Sequence, residues 1–477
     1  TNLKDYINGF SDDVKEILDN FEIATIIEKL KKAGLLYLVV QKFSEINLGA
    51  DTIDNLEMGY MFEELIRKFS EQSNETAGEH FTPREVIELM VEVLLDTDLD
   101  EITTTDGKVI TILDPACGTG GMLSIAQNQI RALNSTTTVI PFGQELNPET
   151  YATCKSDMIL KNNTNSKIVF GNSFSEDGFR EQKFDYILSN PPFGVEWKKV
   201  KNFIENESKH KGYDGRFGAG TPRISDGSLL FLQHMISKMQ PIEKGGSRIG
   251  IVFNGSPLFS GDAGSGESEI RKWIIEKDLL EAVIGLPDQL FYNTGISTYV
   301  WILTNRKTDR RKGKIRLING TSFFGKMRKS LGNKRNEITE SDRKEIVRLY
   351  STYEHDENYI DFDNDDFGYR KITIERPLYD ENREIVVEKG NPKPNSKLRD
   401  TETVPFKEDI HEYFKREVLP HVPDAWIDEK KTKIGYEIPF TRHFYKFTPL
   451  RESSVILDEI KQLEEKIQKS LNELFKG

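Results

Sequence analysis

The chain has 477 residues, of which 37% are hydrophobic, 30% are charged and two are cysteines, a composition that predicts a globular protein of two or three domains and excludes a disulfide framework. No apolar run is long enough to cross a bilayer and no signal peptide opens the sequence, so we expect a cytoplasmic protein. The formal net charge of −13 argues against tight DNA binding by this chain alone, because contacts with phosphates dominate that affinity.

The first part of the chain, residues 1–77, is predicted to be helical because apolar residues recur three and four positions apart. Its first residue is Thr1 rather than Met, and we expect a further N-terminal part to precede it. Another helix is predicted from about residue 84 to 95. Thr82 is its expected N-cap, Pro83 its first residue, and Glu85 the partner of Thr82 in a capping box.

From residue 109 onward, short β-rich runs alternate with helical ones, which indicates an α/β fold with a parallel, doubly wound sheet. The predicted strands lie within residues 109–116, 137–146, 166–174, 184–192, 247–256, 280–287 and 298–305. A long insertion rich in glycine and lysine, residues 194–227, separates the fourth strand from the fifth. Insertions of this length are usually functional or mobile.

Basic residues concentrate after the seventh strand. Residues 306–316 contain seven Lys or Arg and one Asp, and the basic runs KMRK (326–329) and NKR (333–335) follow. Such runs are either solvated surface loops or edges that contact phosphates, and composition leaves both readings open.

The last part of the chain changes character twice. Beyond residue 320 it is polar and we expect it to be irregular. Residues 455–475 then predict a helix with one narrow apolar stripe, as in a coiled coil, which packs either on its own domain or on a partner subunit. The stripe contains Ile456, Ile460, Leu463, Ile467, Leu471 and Leu474.

A glycine-rich turn, DPACGTGGML, follows the first strand from Asp114 to Leu123. Its glycines permit a tight turn and let a ligand approach the backbone at the start of the next helix. The G-x-G-x-x-G pattern of pyrophosphate binders is not met, and the leading Asp favours a ligand with an ammonium group and a ribose. An ordinary strand-to-helix turn is the alternative. The candidate ligand-binding residues are Asp114, Ala116, Gly118, Thr119, Gly120, Gly121 and Met122.

Polar residues also follow the next two strands. Glu145 ends the second strand, where a carboxylate can accept hydrogen bonds from both hydroxyls of a ribose. Asn172 and Ser173 follow the third strand, where a polar side chain could meet an adenine ring. A surface position is the alternative for each of them.

The sequence Ser189-Asn190-Pro191-Pro192-Phe193 follows the fourth strand. Two prolines lack backbone donors, so the pair adds little to a sheet but freezes the chain with its carbonyls facing a substrate. The side-chain oxygen of Asn190 and the carbonyl of Pro191 can accept both N–H groups of an exocyclic amine and hold its nitrogen in line with a methyl donor. Phe193 offers a face for stacking a base extruded from a duplex. A structural turn is the alternative.

These motifs closely resemble those of amino-methyltransferases that act on DNA, whose catalytic motif is N/D-P-P-F/Y/W. A further match, Gly78-Glu-His-Phe-Thr-Pro-Arg84, is typical of the group that contains type I modification subunits. The resemblance implies that Phe81, Thr82 and Pro83 lie against the methionine end of S-adenosylmethionine and that the helix start faces its carboxylate. The cofactor site implied by this match consists of Glu79, His80, Phe81, Thr82, Pro83 and Arg84.

The resemblance covers most of the chain, including residues 58–69 and 282–298. It implies a Rossmann-like, S-adenosylmethionine-dependent methyltransferase fold with a helical N-terminal region and a coiled-coil-like C-terminal helix. The implied enzyme is a site-specific adenine-N6 DNA methyltransferase that protects host DNA. Its implied partners are duplex DNA, one specificity subunit shared by two modification subunits, and a restriction subunit. The predicted domains span residues 1–77, 78–320, 321–450 and 451–477.

Three other functions compete with this interpretation. A free-standing adenine methyltransferase would need a recognition domain of its own, for which no segment is clearly suited. A glutamine-N5 methyltransferase acting on protein shares the Asn-Pro-Pro chemistry but is shorter and usually has Tyr in place of Phe193. A non-catalytic module would keep the fold only for docking on DNA. The seven histidines show no zinc-site pairing and no P-loop occurs, so we expect neither a metal nor ATP-driven translocation.

Overall fold

The computed structural model describes residues 2–49, 52–53, 58, 61, 65, 68, 82–161, 163, 165–292, 294–445 and 452–474. The chain divides into two compact units, Thr1–Ile438 and Pro439–Gly477. Among the residues described, no helix is both long and apolar enough to cross a membrane.

Helices and strands alternate through the middle of the chain, as the sequence predicts. The helices are α1 (Asn2–Asn8), α2 (Asp12–Asn20), α3 (Ile23–Lys32), α4 (Leu36–Ser44), α5 (Arg84–Leu95), α6 (Leu99–Thr104), α7 (Gly121–Leu133), α8 (Pro148–Leu160), α9 (Lys201–Lys211), α10 (Ser228–Ser237), α11 (Ser256–Phe259), α12 (Gly266–Glu276), α13 (Glu340–Ser351), α14 (Ile410–Tyr413), α15 (Phe440–Phe444) and α16 (Ser453–Leu474). The strands are β1 (Val109–Asp114), β2 (Thr138–Glu145), β3 (Lys167–Phe170), β4 (Tyr186–Ser189), β5 (Arg248–Asn254), β6 (Leu280–Gly285), β7 (Thr298–Thr304), β8 (Lys314–Asn319), β9 (Gly325–Leu331), β10 (Lys334–Glu337), β11 (Tyr359–Asp363), β12 (Gly368–Glu375), β13 (Val387–Glu388), β14 (Asn391–Pro392), β15 (Asp400–Pro405) and β16 (Trp426–Tyr436).

Nine strands form the central sheet in the order β11-β8-β6-β7-β5-β4-β1-β2-β3. All seven predicted strands are present as β1 to β7. The expectation of a parallel sheet is wrong for β7, which runs antiparallel to both β5 and β6. The described residues between β6 and β7 form no helix that could carry the chain back across the sheet, so the next strand returns antiparallel.

Both faces of this sheet are covered. Strands β4, β6 and β7 are buried along their whole length, as near-continuous apolar strands require. The main hydrophobic cluster joins α5, α7 and α13 to alternate strand residues such as Tyr186, Leu188 and Val252. Neighbouring residues such as Ile251 and Phe253 are also buried and point to the opposite face, because side chains alternate along a strand.

The expectation that residues 321–450 are irregular is wrong. In this stretch β11 joins the edge of the central sheet, and β15, β12 and β16 form an antiparallel sheet. A small cluster with Ile372, Ile374 and Val404 at its centre supports that second sheet. These strands were not predicted from composition because they contain many polar residues that are exposed or half-exposed, as in β15 and β16. The predicted domain boundaries stay predictions.

Two further elements complete the fold. Strands β9 and β10 form a separate antiparallel hairpin, which we call the β9–β10 hairpin (residues 325–337). In the second unit, the predicted C-terminal helix is confirmed as α16. Its stripe residues Ile456, Ile460, Leu463, Ile467 and Leu471 are all exposed.

Candidate active site

The glycine-rich turn joins the end of β1 to the start of α7. Gly118 and Gly120 have φ angles of 53° and 84°, a backbone region that residues with a Cβ rarely adopt. A Cβ on Gly120 would lie 2.6 Å from the Sγ atom of Cys154. Glycine is therefore required at residue 120 by the backbone conformation and by the packing beneath it.

Asp114 is the last residue of β1, and its carboxyl group is buried. Its Oδ1 accepts hydrogen bonds from the backbone N–H of Ala116, at 3.0 Å, and from the hydroxyl of Ser189, at 2.9 Å. Burial raises the pKa of Asp114 to about 7, although these two hydrogen bonds act in the opposite direction. The bond from Ser189 also ties the glycine-rich turn to the end of β4, so that two predicted motifs meet.

Glu145 ends β2, and its buried carboxylate holds the same turn. Its Oε2 accepts a hydrogen bond from the N–H of Gly118 at 2.8 Å, and its Oε1 accepts one from the N–H of Asn147 at 2.7 Å. Each oxygen keeps a further lone pair, so the fixed carboxylate can still accept hydrogen bonds from the hydroxyls of a ligand.

The turn after β3 is shaped by its two predicted ligand-binding residues. The Oδ1 of Asn172 accepts a hydrogen bond from the backbone N–H of Phe174 at 2.9 Å. The hydroxyl of Ser173 donates to the carbonyl of Pro115 at 2.5 Å. This second bond attaches the turn to the loop after β1, so the ends of β1, β2, β3 and β4 form one continuous site.

Arg216, from the insertion, braces the turn after β3. Its guanidinium donates to the carbonyl oxygens of Ser173 at 3.0 Å and Phe174 at 2.6 Å. It also pairs with the carboxylate of Glu207 at 2.6 Å. Burial lowers the pKa of His234 to about 3, so the neutral ring can accept a further bond from Arg216 at 3.2 Å. The insertion is thus an ordered part of the site, and the sequence alone did not single out this arginine.

Asn190, directly after β4, presents an unsatisfied acceptor. Its Nδ2 donates a hydrogen bond to the hydroxyl of Thr82 at 3.0 Å. Its Oδ1 is buried and receives no hydrogen bond from any residue that the structure describes. Leaving a buried acceptor unpaired costs about 1–3 kcal/mol, so this atom points to a donor that arrives with a ligand.

The capping box predicted at Thr82 is wrong. Helix α5 begins at Arg84, its N-cap is Pro83, and no side chain caps it. The hydroxyl of Thr82 contacts Asn190 instead, and the carboxylate of Glu85 contacts the ammonium group of Lys334. Both side chains bind partners that are distant in the sequence instead of capping the helix. A local sequence pattern contains no information about such partners.

These elements surround a cavity of about 700 Å³. Most of the predicted site residues line it, namely Thr82, Arg84, Asp114, Ala116, Gly118, Thr119, Gly121, Met122, Glu145, Asn172, Ser173, Asn190 and Pro192. Pro83, Gly120, Pro191 and Phe193 lie outside its lining. Phe193 packs instead against the main hydrophobic cluster, and its stacking role stays a prediction. Glu79, His80 and Phe81, like most of residues 58–69, lie outside the described residues.

The cavity extends beyond the predicted residues. Val195, Glu196, Trp197 and Lys199 line it from the start of the insertion, and Phe231 lines it from α10. The buried Trp197 is fixed by a hydrogen bond from its Nε1 to the carbonyl of Arg223 at 3.0 Å. Position directly after the Asn-Pro-Pro-Phe motif could have identified the four residues of the insertion, whereas no sequence signal marked Phe231.

The basic run 306–316 is mainly structural. Five of its cations pair with carboxylates: Arg306 with Asp98, Lys307 with Asp278, Arg311 with Glu281, Lys312 with Asp309, and Arg316 with Asp361. Lys307, Arg311 and Arg316 are buried. Because the run connects the end of the antiparallel β7 to the start of β8, it lies at the edge of the sheet opposite the cavity.

Three comparisons with known proteins bear on this site. The sequence model of the N-6 DNA Methylase family matches residues 54–368. The methylase subunit of the type I restriction enzyme MjaIX from Methanocaldococcus jannaschii is 29% identical over 343 residues, which cover 70% of this chain and 55% of that subunit. The corresponding HindI subunit from Haemophilus influenzae is 31% identical over 280 residues, which cover 57% of this chain and 55% of that subunit.

Among solved structures, the methyltransferase subunit of a type I restriction–modification system from Streptococcus thermophilus matches with a TM-score of 0.53 and 26% identity. The match covers 65% of this chain and 60% of that one. The chain thus spans little more than half the length of the curated relatives that it matches.

Proposed function

Because the chain belongs to the N-6 DNA methylase family, we propose that it transfers the methyl group of S-adenosylmethionine to N6 of an adenine extruded from duplex DNA. In this proposal it acts as the modification subunit of a type I restriction–modification complex. Family membership supports the class of reaction, and the geometry of the cavity supports the roles that we propose for individual residues.

The observation that carries the proposal is the unpaired Oδ1 of Asn190. An exocyclic amine has two N–H donors, and one of them can satisfy this acceptor. The carbonyl of the next residue, Pro191, would accept the other. Two acceptors on one nitrogen hold its lone pair in a fixed direction and increase its electron density, which suits a one-step displacement without a covalent intermediate.

The residues at the other end of the cavity fit S-adenosylmethionine. When bound, this cofactor supplies a methyl group on a positively charged sulfonium. The carboxylate of Glu145 can accept the ribose hydroxyls, and Asp114 can neutralise a nearby cationic group. The start of α7 and the residues around Arg84 would bind the remainder, together with the predicted residues Gly118, Thr119, Gly121, Met122, Asn172 and Ser173.

The cavity is large enough for both a base and a cofactor. Known ligand sites measure about 300–1,000 Å³, and its volume of about 700 Å³ lies within that range. Trp197, Val195 and Phe231 supply apolar surface beside Asn190. We propose that these side chains, in addition to Phe193, contact the extruded base and keep water from the amine.

The partners are also part of the proposal. The relatives named above are methylase subunits of type I restriction enzymes, which supports assembly with other subunits of such an enzyme. We propose that the partners are duplex DNA, a specificity subunit shared by two modification subunits, and a restriction subunit, in the cytoplasm. The net charge of −13 is consistent with sequence recognition by another subunit. The exposed stripe of α16 is the surface that we propose for that contact.

The rival functions predict different products. A free-standing methyltransferase would modify adenine without any partner, and none of the comparisons favours it. A glutamine methyltransferase would modify protein, and a non-catalytic module would transfer nothing.

The test is mass spectrometry of DNA from cells that express the chain with its specificity subunit. We expect N6-methyladenine at one split recognition sequence, and no product from Asn190→Ala although that variant still binds the cofactor in calorimetry. Asn190→Asp keeps an acceptor oxygen and serves as the matched variant, with partial activity expected. Methylcytosine alone, or full methylation by Asn190→Ala, would contradict the proposal.

A further inference from the structure

The cations of the two basic segments of the sequence differ in exposure and in ion pairing. In residues 306–316 most cations form ion pairs with carboxylates of the same chain, as described above. In the β9–β10 hairpin the side chains of Lys326, Arg328, Lys329 and Arg335 are exposed, and none forms an ion pair with a residue that the structure describes. The hairpin contains one acidic residue, Glu337. It is therefore a surface of concentrated, uncompensated positive charge on an acidic chain.

The hairpin lies at the edge of the sheet that carries the cavity. Strands β4 and β5 are parallel, β5 and β6 both pair antiparallel with β7, and β6 and β8 are parallel, so the carboxyl ends of β4, β6 and β8 share one edge. Asn190 follows β4 at this edge. The hairpin follows β8 at the same edge, and only five residues separate Asn319 from its first residue, Gly325.

Direct contacts hold the hairpin in that position. The N–H groups of Asn333 and Arg335 donate to the carbonyls of Tyr292 and Gln289, each at 2.9 Å, in the loop that follows β6. The buried ammonium group of Lys334 contacts the carboxylate of Glu85 in the first turn of α5. Thr82, which binds Asn190, lies three residues before Glu85 in the sequence. The exposed cations therefore project from a fixed element beside the site.

We propose that the β9–β10 hairpin contacts the phosphates of duplex DNA next to the base that enters the cavity. This inference rests on the proposed function and specifies how the substrate is held. A base can reach Asn190 only if its own backbone passes over this edge of the sheet, and phosphates there meet Lys326, Arg328 and Lys329. Such contacts fix the position of the duplex and carry no sequence information, which fits a chain that leaves recognition to a partner.

The experiment compares two triple variants that remove equal charge from opposite edges of the sheet. The hairpin variant is Lys326→Ala, Arg328→Ala, Lys329→Ala. The control is Arg310→Ala, Lys312→Ala, Lys314→Ala, which removes three exposed cations of the other basic segment. Each is assembled with the specificity subunit, and binding of a fluorescent duplex is measured by anisotropy over a series of salt concentrations.

We expect the dependence of log K on log salt concentration to become shallower by roughly 2–3 for the hairpin variant, because the slope changes by about 0.9 for each phosphate that the protein no longer neutralises. The control should keep the slope of the unmodified complex. An unchanged slope in the hairpin variant, or an equal change in both variants, overturns the inference. Dissociation of the specificity subunit from the hairpin variant, with DNA binding by the remaining chain unaltered, also overturns it, because the surface would then bind protein.

A methylation assay distinguishes failure of this inference from failure of the proposed function. If the unmodified complex forms N6-methyladenine while the hairpin variant binds DNA normally, the inference fails and the function stands. If the unmodified complex forms no N6-methyladenine while the hairpin variant still shows the shallower salt dependence, the function fails and the DNA contact stands. Cofactor binding by both variants, measured by calorimetry, verifies that each is folded.

Discussion

At the scale of single residues, the amide of Asn190 depends on Thr82 for its orientation. The hydroxyl of Thr82 accepts the hydrogen bond from Nδ2, which leaves Oδ1 directed away from that partner and unpaired. Thr82 is therefore a positioning residue for the proposed acceptor. This role connects a motif that resembles cofactor-binding sequences with the proposed catalytic motif, across 108 positions of the chain.

Replacing Thr82 by Val should lower kcat by roughly fivefold, because one hydrogen bond of about 1 kcal/mol no longer fixes the amide. Thr82→Ser keeps the hydroxyl and should restore kcat. Steady-state methylation of duplex DNA measures both, and KM for DNA should change little. A fall in kcat shared by Thr82→Ser, or a change in KM alone, would show that Thr82 acts through packing.

Asp114 should make cofactor binding depend on pH. Burial raises the pKa of this carboxyl to about 7, so near neutrality it is partly protonated. A cationic cofactor beside it favours the carboxylate, and binding then releases a proton below that pKa. Affinity should rise roughly tenfold between pH 6 and 8, equivalent to about one pKa unit of coupling. Calorimetry in buffers of different ionisation enthalpy detects the proton, and Asp114→Asn should abolish both effects.

Much of the site was predictable from single positions at strand ends. Asp114, Glu145 and Asn190 were identified because each ends or directly follows a predicted strand within a motif suited to ligand binding, and ligands bind at the carboxyl ends of strands in α/β sheets. The contact between Thr82 and Asn190 was not predictable, because residues far apart in the sequence become neighbours only in the folded chain. Arg216 was missed for the same reason.

At the scale of elements, the insertion at residues 194–227 supports the cofactor side of the cavity through Arg216. Its guanidinium binds two carbonyls of the turn after β3 and the carboxylate of Glu207. Only a planar group with several fixed donors can make all of these bonds together.

We therefore expect Arg216→Lys to weaken cofactor binding by roughly tenfold, because a single ammonium group cannot replace the paired donors. The charge beside Glu207 is kept, which avoids leaving a buried carboxylate unpaired. Arg223→Lys, at a more exposed arginine of the same insertion, is the control and should bind normally. Equal affinities for both variants, measured by calorimetry, would assign Arg216 to stability alone.

The fold was predictable to the extent that it follows from local pattern. The α/β class and the strands β1 to β7 are confirmed, as is the Rossmann-like methyltransferase fold. The direction of β7 was not predictable from alternation, because the decisive feature is the lack of a helix before it among the described residues. Strands β12, β15 and β16 escaped prediction because their burial comes from a small cluster and not from a continuous apolar run.

At the scale of the whole molecule, charge is segregated. The chain carries 78 acidic and 65 basic residues, yet the hairpin beside the cavity is basic. An overall negative charge limits non-specific binding to nucleic acid, while a local positive surface can still direct DNA to the site. Under the proposed function, we expect productive binding to depend on a partner that brings DNA to this edge.

The last prediction concerns that partner and the second unit of the chain. The exposed stripe of α16 repeats at coiled-coil spacing, which suits docking on a helix of the proposed specificity subunit. Ile460→Asp with Ile467→Asp should abolish co-purification of that subunit, because two charges would enter an apolar seam. Gln462→Asp with Lys469→Asp adds the same side chains to the polar side of the helix and should assemble normally.

Cofactor affinity should stay unchanged in both α16 variants, because every residue of the proposed cofactor site belongs to the first unit. Site-specific methylation should disappear only from the stripe variant, since target recognition is assigned to the partner. Normal assembly of the stripe variant would exclude α16 as the docking surface. Equal failure of assembly in both variants would instead indicate that the helix tolerates no added negative charge, whichever side carries it.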